Sequence, residues 1–195
     1  KALFGVIDDI RSELEEYMPY KVVTMDGCEA DDIIGVICKN YNTDPILIVS
    51  SDKDFIQLQK YNNISQWSPL TKKFLNDPKP EEQLRALIVK GDRSDGVPNI
   101  LSNDNCLVEG LRQKPLSKKK IEKWISGNPE ELFEGELLRN YKRNETLIDL
   151  ECIPDSIQIN IQTRYERKQY TGRDKMLSYF IKHRLKELTE SIQEF

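Results

Sequence analysis

Seven acidic side chains fall into three short groups: Glu29-Ala30-Asp31-Asp32, Ser50-Ser51-Asp52-Lys53-Asp54, and Gly91-Asp92-Arg93-Ser94-Asp95-Gly96-Val97-Pro98. The first group follows a β-branched run, Lys21 to Met25, and an Asp26-Gly27 turn signal, and it opens a helix. Acids in a first helical turn also complement the helix dipole and cap free N–H groups, so this group alone fits a structural role equally well. The second group follows Ile46-Leu47-Ile48-Val49, the most hydrophobic strand-sized run in the chain. Ligands of open α/β sheets bind at the carboxyl ends of strands, and two carboxylates one residue apart can both lean over that edge. The competing reading is an N-cap supplied by Ser51 or Asp52. In the third group Asp92 and Asp95 are three apart, which sets them side by side in a helical or turn conformation. Here the alternative is a C-cap at Gly91 followed by a solvated turn.

Taken together the groups say more. Two parallel strands would carry the first two groups to one sheet edge, and the third could fold back onto it. Seven carboxylates in one cleft raise one another's pKa values, and cations must then neutralise them. Hard oxygen ligands without histidine or cysteine point to Mg²⁺, with Mn²⁺ able to substitute. Two such ions about 4 Å apart are the usual device for phosphodiester hydrolysis, one activating the attacking water and the other supporting the leaving oxygen. No side-chain nucleophile is then required, and the chain offers no candidate triad. Zinc is disfavoured, because Cys28, Cys38, Cys106 and Cys152 are scattered and the single histidine, His183, is far from all of them. Reduced thiols are the expectation.

The elements that must position these acids read as follows. Helical spacing runs through Leu3, Val6, Ile7, Ile10 and Leu14, and Pro19 stops it. Lys21 to Met25 reads as a strand. A helix from Glu29 to about Tyr41 carries Ala30, Ile33, Ile34 and Ile37 on one face. Ile46 to Val49 reads as a strand buried on both faces, and a helix follows over about Asp52 to Lys60. A hairpin is expected around Ser68-Pro69-Leu70-Thr71, and a helix from Pro80 to near Lys90. Residues 101 to 150 are mostly helical patterns, and Lys175 to Phe195 is strongly amphipathic. The expected fold is α/β, with a parallel-sheet core flanked by helices and right-handed crossovers, followed by a mainly α-helical carboxy-terminal subdomain. Residues 1–98 would be part of the core and residues 99–195 the helical subdomain.

The net charge of −4 argues superficially against nucleic acid, but local patches matter more. Residues 1 to 100 carry 12 basic and 17 acidic side chains, the remainder 17 and 16. Lys118, Lys119, Lys120 and Lys123, flanked by Arg112 and Lys114, could contact phosphates or merely solvate a helix. Lys90 and Arg93, beside Asp92, are better placed to approach a phosphate near the acids. Arg164, Arg167, Lys168, Arg173 and Lys175 form a second basic stretch interleaved with Tyr165 and Tyr170. Trp67 and Trp124 sit in apolar patterns and read as core rather than base-stacking, and His183 reads as a surface residue. No apolar run approaches the roughly 20 residues of a membrane helix, and no signal-peptide pattern opens the chain. Lys1 already lies in a helical pattern, which suggests a start part-way through a longer protein.

On these residues the sequence resembles the flap endonuclease, or 5′-nuclease, superfamily: E-A-D-D at 29 to 32, S-D-K-D-F at 51 to 55, and G-D-x-x-D-x-V-P at 91 to 98, in that order and separation. Gln66-Trp67-Ser68-Pro69 and the ending Leu188 to Phe195 narrow the likeness to its T-even bacteriophage members. The resemblance implies a 5′→3′ exonuclease and flap endonuclease acting on RNA·DNA and DNA·DNA duplexes with 5′ ends or flaps, which removes RNA primers during lagging-strand replication. It implies that Glu29, Asp31, Asp32, Asp52, Asp54, Asp92 and Asp95 hold two Mg²⁺ ions. Asp31 and Asp52 would serve the tighter, catalytic ion, and Asp54 and Asp95 the second, partly through water. Glu29, Asp32 and Asp92 would act directly or through water. It further implies a monomer in the cytoplasm of an infected bacterial host, and a meeting of the carboxy-terminal region with a single-stranded DNA-binding protein.

Two departures bear on these expectations. The superfamily's amino-terminal strand with another catalytic Asp, and a further Asp beside a basic helical arch, have no counterpart here, so the chain is expected to hold only part of the site. The stretch Ile100 to Gly110 lacks the glycines of the superfamily's helix–turn–helix. A PIN-like metal-dependent ribonuclease and a non-catalytic nucleic-acid-binding fragment are the alternatives.

Overall fold

The computed structural model of the chain describes residues 2–167 and 173–195. Lys168 and Tyr170 of the second basic stretch lie outside the described residues. The chain divides into two compact units, residues 29–158 and residues 1–28 with 159–195. The expected break after residue 98 therefore falls inside one unit. Arg143 and Asn144 donate hydrogen bonds back across that position to the Pro98 carbonyl.

Within residues 29–158 the chain runs through α2 (Ala30–Asn40), β1 (Ile46–Val49), a 3-10 helix (Asp54–Lys60), β2 (Ile64–Ser68), β3 (Lys73–Leu75) and α3 (Pro80–Lys90). It continues through α4 (Lys118–Ile125), α5 (Pro129–Leu132) and α6 (Gly135–Ile148). β1 and β2 pair in parallel from Ile46↔Ile64 to Val49↔Trp67. β2 turns back antiparallel onto β3 from Ser68↔Lys73 to Gln66↔Leu75, through a tip with Lys72 at φ 54. The hairpin was expected, and Pro80 opens α3 at its first helical position as expected. The segment expected as a helix over Asp52 to Lys60 is a 3-10 helix that starts two residues later, because Ser50 to Lys53 form turns of their own.

Two apolar clusters hold this unit. Cys38, Ile48, Phe55, Leu58 and Ile64 fasten α2 and the 3-10 helix to the sheet. Ile88, Val89, Ile100, Phe133 and Tyr141 fasten α3 to the later helices, with Trp124 packed edge-on to Phe133 at 5.3 Å. Each such buried side chain contributes roughly 1.5–3 kcal/mol. Trp67 and Trp124 are both half-buried.

The other unit contains α1 (Ala2–Tyr17), α8 (Asp174–Lys182) and α9 (Lys186–Glu190), and the division falls within α7 (Asp155–Arg167). Tyr17 stacks on Tyr179 at 4.9 Å, Tyr179 donates to Glu13, and Met18, Met176 and Phe180 are buried together. Three expectations change here. Lys21 to Met25 is a half-buried extended stretch rather than a strand: it has no ladder partner among the described residues, and Lys21 donates to the Tyr165 carbonyl while lying over that ring at 4.3 Å. β-propensity without a neighbouring strand does not make a ladder. The sheet of the described residues is accordingly three-stranded and mixed, with β1 at its edge and Leu47 and Val49 exposed. Lys175 to Phe195 is not one helix. It breaks at Arg184, which takes φ 55 so that the Leu185 N–H bonds the Phe180 carbonyl and Leu185 packs against the Met176 cluster. The α1 face of Leu3, Val6, Ile7 and Ile10, spaced for a core, is exposed among the described residues. His183 is exposed as expected and stacks on Tyr179 at 4.3 Å.

One ionic hub ties the segment after α6 to the sheet side of its unit. Glu151 accepts from Lys39 at 2.9 Å, from Lys60 at 2.8 Å, and from the Tyr61 hydroxyl. Partial burial alone would raise its pKa, but the hydrogen bonds from Lys60, Tyr61 and Lys39 overcome that and hold it at about 2. A carboxyl depressed in the folded state stabilises above its unfolded pKa, and that contribution disappears as pH falls through the folded value. Acid unfolding between about pH 4.5 and 2 should therefore draw on this hub. After discounting for its one-third exposure, Glu151→Gln should cost roughly 1–2 kcal/mol at pH 7 and correspondingly less at pH 2. Urea unfolding at the two pH values checks this.

Candidate metal centre

All seven acids lie in the 29–158 unit, each presented by a different local device. At the start of α2, Glu29 and Asp32 form a reciprocal capping box in which the Glu29 N–H bonds Asp32 Oδ2 at 2.9 Å. The box leaves Asp31, between them, half-buried at the first turn. After β1 the chain turns sharply: the Asp52 N–H bonds the Ser50 hydroxyl at 3.1 Å and the Asp54 N–H bonds Asp52 Oδ1 at 3.0 Å. β2 props this turn from beside it. The buried Gln66 amide donates to the carbonyls of Ser50 and Asp52, and the Ser51 and Ser68 hydroxyls meet at 2.9 Å. Gln66 and Ser68 continue the inward face that Ile64 begins.

The third group leaves α3 at Gly91, whose φ is +68. A Cβ there would stand 2.4 Å from the Val97 carbonyl oxygen and 2.6 Å from the Pro98 carbonyl, so only glycine lets the loop close. The Val97 N–H bonds the Asp92 carbonyl at 2.7 Å, and Ser94 donates its N–H and its hydroxyl to Asp92 Oδ1.

These devices bring Asp54, Asp92 and Asp95 together, with one carboxylate oxygen of each within 4.8 Å of the others. Asp31 and Asp52 line one side of a cavity of about 440 Å³ with Ile34, Val49 and Ser50. Asp52 is the electrical link between trio and pair, because its charge acts on Asp31, Asp54 and Asp95 alike. Burial, then the charges of Asp52, Asp92, Asp95 and Asp31, push Asp54 up to about 6. Burial first, then Asp52, Glu29, Asp32 and Asp95, raise Asp31, and burial with Asp92 and Asp52 raises Asp95. Asp92 moves the other way: the Ser94 hydroxyl bond holds it below the usual carboxylate range. Glu29 and Asp32 stand apart from the trio, in the cap.

A set of three converging carboxylates with no imidazole or thiol beside it matches the donor chemistry of a hard divalent cation. The trio joins Asp92 to Asp54 and Asp95, the pair that the family resemblance implied for one ion, with Asp92 expected to act directly or through water.

The basic residues take separate places. Lys90 is exposed at the end of α3 and, with Lys53, Asp54, Ile56 and Leu87, lines a cavity of about 380 Å³. Lys53 went unnoticed in the sequence, although its position between two acids was a signal. Arg93 is exposed and borders a second cavity with Leu107, Leu111 and Arg112. Lys118, Lys119 and Lys120 are exposed on the first turn of α4, capped by Ser117, with Lys118 3.9 Å from Glu122 and Lys120 toward the Trp124 ring. Gln66 and Asn144, whose amides hold the two acidic turns, were also missed.

This fold and its acidic cluster define a candidate metal centre, and comparison with known proteins gives the family. Residues 79–195 match the family described as T4 RNase H, C terminal, and residues 2–86 match the 5'-3' exonuclease, N-terminal resolvase-like domain. The first match spans more than half of the chain, and the chain belongs to that family. It is 41% identical over 194 residues to the Ribonuclease H of Enterobacteria phage T4, a match covering 94% of this chain and 63% of that protein. It is 36% identical over 107 residues to the 5'-3' exonuclease of Buchnera aphidicola, covering 50% of this chain and 37% of the relative. The chain thus spans less than two thirds of the length of either relative. Among solved structures, the T5 D15 protein co-crystallised with metal ions shares the fold, with a TM-score of 0.55 and 17% identity, over 84% of this chain and 67% of that one.

The raised carboxyl of Asp54 generates a pH test. Its folded value of about 6 lies above the ordinary 3.8, so the folded state favours the protonated form and stability falls as pH rises from about 3.8 to 6, then levels off. Thermal unfolding of the metal-free chain should show this fall. Mg²⁺ should reverse it at pH 7.5 and have little effect at pH 5. Asp54→Asn should flatten the pH profile and abolish the Mg²⁺ response. In Gly91→Ala, the left-handed backbone and the overlap with Val97 and Pro98 together should cost roughly 3 kcal/mol or more, measurable by the same scan.

Proposed function

We propose that this chain carries most of the metal site of a structure-specific 5′-nuclease, one that hydrolyses phosphodiesters in RNA·DNA and DNA·DNA duplexes and removes RNA primers during lagging-strand replication. The observation that carries the reading is the meeting of Asp54, Asp92 and Asp95 within 4.8 Å. Acids that only cap their own turns have no reason to converge from the β1 turn and the Gly91 loop, and two ions need ligands gathered at this scale. Family membership favours the nuclease over a PIN-like ribonuclease, since the match over residues 79–195 takes in the helical segment that the shorter domain lacks.

In this reading two Mg²⁺ ions lie among the acids. Asp31 and Asp52 hold one, Asp54, Asp92 and Asp95 the other, and Glu29 and Asp32 steady the α2 end. When bound, the ions supply the positive charge that activates the attacking water and supports the leaving oxygen. The carboxylates orient that charge along the line of displacement, in which water adds to phosphorus as the bond to the leaving oxygen breaks. Lys90, Lys53 and Arg93 draw the flanking phosphates toward the acids. Lys118, Lys119 and Lys120 hold the duplex backbone farther along, within a helical DNA-binding part, and confer no sequence preference. The carboxy-terminal helices, with Leu177, Ile181 and Leu188 exposed, are where we place contact with a single-stranded DNA-binding protein.

The test is cleavage of a 5′-flap DNA and an RNA·DNA hybrid, with and without Mg²⁺, by a protein of the relative's full length that contains this chain. Asp52→Asn should lower the rate by at least 10³-fold in Mg²⁺ at unchanged fold, and full activity in that variant would refute the two-ion assignment. Lys118→Ala with Lys119→Ala and Lys120→Ala should instead raise KM and flatten the salt dependence at little change in kcat.

A further inference from the structure

The Gly91–Pro98 loop is held shut by a residue that follows it by nearly fifty positions. Asn144 lies on α6 and its side chain is wholly buried. Its amide donates to the Ile88 carbonyl at 2.7 Å and to the Pro98 carbonyl at 2.9 Å. Ile88 is in the last turn of α3, before the loop, and Pro98 is the loop's last residue. One amide therefore bridges the two sides of the neck from which Asp92 and Asp95 project. The Ile100 N–H to Val89 carbonyl bond, at 3.2 Å, is the backbone's own closure of that neck. The Asn144 oxygen is fixed in turn by Arg143, which donates to it at 2.8 and 2.9 Å and to the Pro98 carbonyl at 3.1 Å. Arg143 is anchored by Asp104, which also takes a bidentate pair from Arg139 at 2.8 and 2.9 Å. The Asn144 amide donates to α3 on one side of the neck and to the loop's last residue on the other.

We propose that Asn144 is a positioning residue for the metal-binding loop: its amide fixes the separation of Ile88 and Pro98 and thereby the place at which Asp92 and Asp95 present their carboxylates to Asp54. The inference rests on the two-ion reading of the site. Loss of the amide removes the donor to the Ile88 carbonyl and leaves the Pro98 carbonyl to Arg143 alone, and the neck relaxes toward water. Ligand atoms that must converge within a few ångströms then lose their alignment, and misplacement by about 1 Å is enough to weaken such a site strongly. A side chain that merely filled space would not act this way, because an apolar residue of the same size would preserve packing and leave the metal site intact.

The experiment is titration of the whole chain with Mn²⁺, free ion being read by electron paramagnetic resonance, in the wild type, Asn144→Leu and Phe133→Leu. Phe133→Leu loosens the apolar core shared by α3 and α6 without removing a hydrogen bond from the loop neck. The expected result is that Asn144→Leu weakens Mn²⁺ binding at least tenfold while Phe133→Leu, at comparable loss of thermal stability, leaves it unchanged. Should the leucine variant not fold, Asn144→Ser, whose smaller side chain cannot span both carbonyls, carries the same expectation. Wild-type affinity in the folded Asn144 variant, or an equal loss in Phe133→Leu, overturns the inference while leaving the two-ion reading standing. A wild-type chain that takes up no Mn²⁺ overturns that reading and this inference with it.

Discussion

Mutual repulsion among carboxylates is the constraint on which the rest of this structure turns. Burial first, and then the charges of Asp52, Asp92, Asp95 and Asp31, displace Asp54 to about 6, and Asp31 and Asp95 are raised by burial and neighbouring acids in the same way. Left to itself such a cluster opens. What keeps it together is a frame of neutral donors: the Gln66 amide under the Ser50–Asp52 turn, the Ser94 hydroxyl on Asp92, the Asn144 amide at the loop neck. None of these adds negative charge, and each bonds a group whose position matters to the acids. The opposite displacements of Asp92 and Asp54 within one trio follow from this frame. Asp92 receives two donors and stays ionised, while Asp54 receives burial and repulsion and holds its proton longer. A cation reverses the sign of the whole account, since the charges that repel one another each attract it.

The same frame explains why the site does not belong to either half of the sequence. Glu29 through Asp54 fall in the stretch matched to the 5'-3' exonuclease N-terminal domain, Asp92 and Asp95 in the stretch matched to T4 RNase H, C terminal, and the two matches overlap only across residues 79–86. Those residues begin α3, the helix from whose end the Gly91 loop departs. The apolar cluster around Ile88, Val89 and Tyr141 binds that helix to α6, and Asn144 on α6 closes the loop. A cut after residue 98 would separate the acids from the helix that fixes them, which is why the compact unit runs on to residue 158.

The acids themselves were legible because their signal is local. Gly91 and Pro98 bracket a tight loop, Ser50 to Asp54 follows an apolar strand, and Glu29 to Asp32 opens a helix, so type and spacing suffice. What needed the fold was anything set by a distant partner. Lys21 to Met25 has strand propensity, and whether it becomes a strand depends on a neighbour that the sequence does not name. The break at Arg184 is driven by Leu185 reaching the Met176 cluster, and the apolar spacing from Leu177 to Ile192 conceals it. Asn144 was legible in principle: it falls four residues after Asn140, on the stripe of Leu137, Tyr141 and Ile148. A polar side chain in a core stripe signals a buried bond to distant backbone. The pattern shows that such a bond must exist, but not that its partners are Ile88 and Pro98.

The sequence posed a choice between acids that cap helices and acids that bind metal, but one carboxylate can do both. A carboxylate has two oxygens with room for about four donors. Asp52 gives Oδ1 to the Asp54 N–H, and Asp92 gives Oδ1 to Ser94. Those bonds fix the side-chain torsions and so aim the second oxygen, which is what a ligand to a cation requires. Under the proposed two-ion reading, capping is therefore the means by which a flexible aspartate becomes a ligand of fixed direction. Glu29 and Asp32 go furthest the other way, committed to each other across the first turn of α2. Their consequence for the site is to set the helix end that carries Asp31. The distinction that matters is thus between oxygens rather than residues, and it is set by which backbone N–H each carboxylate meets first.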